Sequence, residues 1–130
     1  MTPELTALGT LVALQIALGL ATSAIVSTRT GSAYILSSRE DPADLDSGFV
    51  GRMHRARINC FEGLIYFTPA VLVVVLGDAA TQGTAVAAWI FVAARVGFVF
   101  CYALDLVPWR SIVWMIGIAA IAYMLGVALL

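Results

Sequence analysis

Four long apolar runs, separated by three polar breaks, dominate the chain. A helix crossing a hydrocarbon core of about 30 Å needs about 20 mostly apolar residues. All four runs reach that length. The first extends from about Leu5 to Thr28, with Gln15 as its one strongly polar side chain. The second starts near Arg55 and stops at Leu76, before Gly77-Asp78, and Pro69 is expected to kink it, as membrane helices tolerate. The third covers Gln82 to Leu104 and the fourth Trp109 to Leu130. The pattern predicts an all-α membrane protein, a four-transmembrane-helix up-down bundle formed by residues 1–130 as a single domain. No internal repeat and no low-complexity tract interrupts it.

The breaks differ in character. Residues 30–51 form a long polar loop with an acidic patch from Glu40 to Asp46. Residues 77–83 carry no positive charge. Leu104 to Pro108 is a tight turn, with Arg110 just beyond it. Up-down spans put the first and third loops on one face. That face holds six arginines, at positions 29, 39, 52, 55, 57 and 110, and the other face holds none. Positive residues stay on the cytoplasmic side, so loops one and three are expected to be cytoplasmic and both termini outside.

Composition sharpens this picture. With 62% hydrophobic residues in 130, a soluble domain would have too little interior to hide its apolar surface. The bilayer is the expected solvent. A net charge of −1 and the absence of lysine leave no basic surface for nucleic acid. The start, Met1-Thr-Pro-Glu4, lacks the positive region of a secretory signal, so the first run is expected to be retained as an anchor. Cys60 and Cys101 fall in apolar stretches and read as packing residues. His54 has no partner at metal-ligand spacing and reads as a surface residue. No phosphate-binding glycine loop and no nucleophile elbow is present.

The polar residues inside the spans are few and clustered. Arg52, Arg55, Arg57, Asn59 and Glu62 fall within eleven residues at the mouth of the second span. Arg55, Asn59 and Glu62 share one helical face at i, i+4 and i+7. In the third span Arg95 and Tyr102 share a face, with Phe98 between them. Arg95 sits about 14 Å from the end at Leu104, by the rise of a helix. An unpaired arginine at that depth is costly, and Glu62 is the expected partner. Such a pair either locks two helices together or forms part of a binding site. Arg39 and Arg52 read as lipid-surface anchors; Arg57 fits an anchor or a site equally well. Asp105 reads as a solvated loop acid or a partner for Arg110. Trp109 and Trp114 suit an interfacial aromatic belt, and Tyr102 suits either that belt or a ligand.

The motif formed by Arg52, Arg55, Ala56, Asn59 and Glu62 resembles the Arg-x-x-Arg-Ala-x-x-Asn-x-x-Glu pattern of the MAPEG family. These are the membrane-associated proteins in eicosanoid and glutathione metabolism. Ala94-Arg95, Tyr102 and Arg110-Ser111 are similar to a second stretch of the family. The resemblance covers essentially the whole chain and its four-span layout. It implies a homotrimer in which glutathione, as co-substrate, binds between subunits near the cytoplasmic face. It further implies that Arg29, Arg55, Asn59, Glu62, Arg95, Tyr102 and Ser111 contact glutathione. Arg110 is then the residue that stabilises its thiolate. Phe98, Trp114 and Gly63 depart from well-known members, which often carry tyrosine, histidine or another aromatic there. The chain looks closer to a bacterial branch, so a bacterial inner membrane is the expected location.

The resemblance implies a glutathione-dependent transferase or peroxidase that takes lipophilic small molecules from the surrounding membrane lipid. Two other readings stand beside it. One is a non-catalytic trimeric membrane protein whose polar cluster binds an anion, a lipid headgroup or a partner. The other is a small proton-coupled exporter using Glu62. On any of them the Arg52–Glu62 cluster looks like half a site. Arg95, Tyr102 and Arg110, on the same chain or a neighbouring subunit, would supply the rest.

Overall fold

A proline in the first turn and a threonine before it start the first helix. Pro108 likewise opens the last one. A computed structural model describes residues 1–130 as α1 (Pro3–Thr30), a short α2 (Ser32–Ile35), α3 (Gly48–Leu76), α4 (Gln82–Ala103) and α5 (Val107–Leu129). Proline suits the first turn, where its missing N–H would have no partner. The Thr2 hydroxyl accepts from Leu5 N–H at 3.4 Å, closing the α1 N-terminus. At α4 a reciprocal capping box joins Thr81 and Thr84. The tight turns after α3 and α4 place Asp78 and Asp105 at φ 53° and 57°. Aspartate is one of the few residues that visits this left-handed region readily.

Four of these helices, α1, α3, α4 and α5, are long and apolar enough to cross a membrane. Expectation and structure differ most at α3. The helix begins at Gly48, seven residues before the apolar run, and continues through Pro69. Hydropathy marks where hydrocarbon starts, whereas backbone hydrogen bonding carries the helix on into the polar region. The whole Arg52–Glu62 stretch is therefore helical.

The packing order places α3 and α4 in the middle. Both touch α1 and α5, while α1 and α5 do not touch each other. The dry core fills one half of the bundle's length, at the end of the α3–α4 turn. There Phe67 of α3 stacks on Phe91 of α4, centroids 4.5 Å apart and planes inclined by 18°. Ala7 and Leu11 of α1 and Ile121 and Met124 of α5 close around them. Glu4 is buried at the same end, and its Oε1 accepts from the Thr84 hydroxyl at 2.6 Å. The N-termini of α1 and α4 meet here, so the carboxyl group faces the positive ends of two helix dipoles. Large apolar side chains such as Ile16, Leu20, Ile65 and Met115 point outward, as lipid requires. The other half of the bundle is where polar groups enter.

Candidate functional site

Arg95 stands where the two halves meet, packed on Phe91 of the core. Its side chain is only 2% exposed. The guanidinium lies between two rings, 5.1 Å from the Phe91 centroid and 5.0 Å from that of Phe98. Nη1 donates to Asn59 Oδ1 at 3.4 Å, a long bond, and Nε and Nη2 have no partner. Two glycines make the room. A Cβ at Gly63 would lie 3.2 Å from Nη1, and one at Gly117 2.9 Å from Nη2.

The expected Glu62–Arg95 pair is therefore absent. Glu62 is exposed, and Asn59 takes the place assigned to it. The reason is register. The buried stripe of α3 contains Ala56, Cys60, Gly63 and Phe67. One residue along a helix turns about 100°, so Gly63 faces Arg95 while Glu62 looks away.

An open cavity of about 400 Å³ lies beside Asn59, lined also by Phe98, Tyr102, Arg110, Ser111, Trp114 and Met115. The Arg110 guanidinium stands over the Tyr102 ring, 4.8 Å from its centroid. The same ring meets Phe98 edge-on at 5.0 Å. Asn59, Tyr102, Arg110 and Ser111 thus line one cavity within one chain, and Arg95 backs it through Asn59. On its other side Arg95 borders an apolar groove of about 290 Å³ between α1 and α4, which also includes Cys60, Gln15 and Phe100.

Arg29 and Arg55 stand apart from this cavity. Both are exposed and turn to the loop before α3. Arg29 Nη1 donates to the Asp44 carbonyl at 3.2 Å and to Ser47 Oγ at 3.3 Å. Arg55 Nη1 donates to the Asp46 carbonyl at 2.7 Å. The loop enters α3 through Gly48 at φ 64°, a backbone state open to glycine. A Cβ at that position would come within 3.3 Å of Arg29 Nη2. The Asp44 carboxylate accepts from the Asp46 N–H at 3.0 Å and from the Ser47 hydroxyl at 3.1 Å. Those two bonds, and then the Arg29 charge, hold its pKa below the ordinary aspartate value. A depressed carboxyl pKa means a clasp complete above the ordinary value and lost as pH falls through the lowered one. Removing Arg29 should release this loop. A protease cutting after the acidic residues between Glu40 and Asp46 should then cleave Arg29→Ala several-fold faster than wild type, and equal rates would contradict the contact's role. In sealed vesicles the same digestion reports which side the loop faces.

Other sequence expectations meet different geometry. Arg52 is half-buried, and its Nε donates across the bundle to the Tyr102 carbonyl at 3.1 Å. It is not a free lipid anchor; the longer α3 brings it level with the end of α4. Arg39 is exposed and bonds to its own loop at the Ile35 carbonyl. Asp105 is exposed in its turn and does not meet Arg110, which packs over Tyr102 instead. Met115 and Gly117 shape the site with no signal in the sequence, since an apolar residue or a glycine in an apolar run reads as packing.

No curated protein and no solved structure matches the chain. A sequence model of the MAPEG family matches residues 5–130, nearly the whole length. That match agrees with the four apolar, membrane-length helices and their up-down order. The chain belongs to the MAPEG family.

Proposed function

We propose that the protein is a glutathione-dependent transferase or peroxidase acting on lipophilic electrophiles, with the thiol held at the Asn59–Tyr102–Arg110–Ser111 cavity. The family is one of membrane proteins of glutathione-related transferase and peroxidase type. The observation that carries the reading is the gathering of those four residues around one cavity, with the Arg110 guanidinium over the Tyr102 ring.

The chemistry follows from charge. A thiol with a pKa of about 8.5 is only about 3% thiolate at pH 7. A guanidinium beside the sulfur favours the anion and lowers that pKa. In conjugation the thiolate attacks the electrophile and forms an S–C bond, while the leaving group departs with the bonding pair. With a strained ring as electrophile, the opened oxygen takes up a proton. In peroxide reduction the thiolate attacks the O–O bond, an S–O bond forms as O–O breaks, and the departing alkoxide takes up a proton and leaves as the alcohol. A second glutathione thiol then attacks the sulfenic acid sulfur, forming the disulfide and releasing water. The cavity's own apolar edge, at Trp114 and Met115, is exposed on the outside of the bundle and offers a lateral approach for a molecule dissolved in the bilayer.

In this reading the rest of glutathione meets a neighbouring copy in a homotrimer. Arg29 and Arg55 suit its two carboxylates, and Glu62 its ammonium group. All three are exposed, and although Arg29 and Arg55 each use Nη1 on the loop before α3, each guanidinium keeps further N–H donors for a ligand. The arginine asymmetry supports loops one and three on the cytoplasmic side, and the resemblance to bacterial members of the family supports a bacterial inner membrane. The particle in detergent should have the mass of three chains.

Glutathione should raise the thermal stability of the detergent-solubilised protein. A ligand at ten times its Kd stabilises the folded state by about 1.4 kcal/mol. The shift should be largely lost in Arg110→Ala. No shift in the wild type at millimolar glutathione would refute the reading.

A further inference from the structure

We propose that Arg52 is a positioning residue for the thiolate site and acts through Tyr102. The inference rests on the reading of the cavity as a glutathione site.

Tyr102 lies in the last turn of α4, where carbonyls have no helical partner of their own. Its carbonyl accepts from Arg52 Nε at 3.1 Å and from the Asp105 N–H at 3.3 Å. A guanidinium at a helix C-terminus also meets the negative end of the dipole. The two donors come from opposite directions in the chain. Arg52 is near the start of α3, and Asp105 is in the α4–α5 turn at φ 57°. Together they pin the backbone of Tyr102 at the point where the chain reverses to deliver Arg110.

The ring of Tyr102 is the surface on which Arg110 rests, 4.8 Å from its centroid. Phe98 holds the ring from the side at 5.0 Å. Arg52 holds it through the backbone and does not line the cavity. Phe49 restrains Arg52 in turn, with the guanidinium carbon 5.9 Å from the ring centroid. A lipid anchor would extend toward headgroups with no partner inside the chain, whereas Arg52 is half-buried and bonded to another helix. Moving Tyr102 moves the seat of Arg110 and so the charge beside the sulfur.

The test follows the ultraviolet absorbance of bound glutathione thiolate against pH, with steady-state kinetics, in wild type, Arg52→Met and Arg52→Lys. Methionine keeps an apolar stem without a donor; lysine keeps a donor on a long stem. Arg52→Met should lower the thiolate fraction at neutral pH about threefold, through a raised thiol pKa. Turnover should fall by about the same factor, KM for glutathione should rise with it because the complex binds thiolate less well, and Arg52→Lys should restore most of the thiolate fraction and the turnover. Should Arg52→Met fail to fold, Phe49→Ala takes its place, with a rise in thiol pKa expected. A wild-type thiolate curve in the variant that folds, or a change confined to KM, overturns the proposal. Absence of any lowered thiol pKa in the wild type overturns the glutathione reading itself, and this inference with it.

Discussion

Arg110→Ala should lower the rate of thiol conjugation up to about thirty-fold at pH 7, the full difference between about 3% thiolate and complete ionisation. The size follows from the thiol. In solution its pKa is about 8.5, and a cation beside the sulfur lowers it. The sign in pH also follows. The wild type is ionised well below 8.5, the variant only near it. The deficit is therefore largest at low pH and shrinks as pH rises past about 8.5, where both carry thiolate. Arg110→Lys should recover part of the rate, since it restores charge but not a flat guanidinium on the Tyr102 ring. The measurement is kcat/KM against pH with one electrophile. A deficit of constant size across the whole range would show that Arg110 does not act on the thiol's ionisation.

Arg95→Met should make the protein more stable and bind glutathione less well. Arg95 is nearly fully buried, with one hydrogen bond of 3.4 Å and two groups, Nε and Nη2, without partners. Replacing poorly paired buried charge by an apolar side chain of similar volume often stabilises, by about 1–4 kcal/mol. The contacts with Phe91 and Phe98 work against that gain, at about 0.5–2 kcal/mol for each ring. Methionine still packs on both rings, so part of this is retained. Asn59 meanwhile loses the donor that fixes its amide beside the cavity. Thermal unfolding with and without glutathione separates the two effects. A variant less stable than wild type would mean that ring contacts outweigh the burial of the charge.

Particular residues show how far the chain can be read without its fold. The four spans are legible because lipid demands a long apolar run for each crossing. Asn59, Tyr102, Arg110 and Ser111 are legible as candidate site residues because polar groups in and beside the spans are few and their spacing resembles a family motif. Glu62 is the instructive failure. Its spacing from Arg55 and Asn59 is right for a shared face, but periodicity describes a helix in isolation and cannot say which edge of that face meets α4. Gly63, the next residue, faces Arg95 because it lets the guanidinium in. Arg52 fails for a related reason. Hydropathy ends the membrane segment near Arg55, so Arg52 reads as lying outside, yet α3 starts at Gly48 and carries it to the end of α4.

Hydropathy along the chain is thus sufficient for the class of protein, the number of spans and the arginine-rich face, because each follows from transfer between water and lipid, residue by residue. Packing decides the rest. Placing α3 and α4 between α1 and α5 brings Asn59, Tyr102 and Arg110 to one cavity within a single chain. It leaves Arg29, Arg55 and Glu62 on outward faces. It also gives Arg95 two aromatic rings and an asparagine as neighbours in place of a carboxylate. These outcomes depend on which small residues allow helices to approach, a property of pairs of helices that no single helix carries in its own pattern.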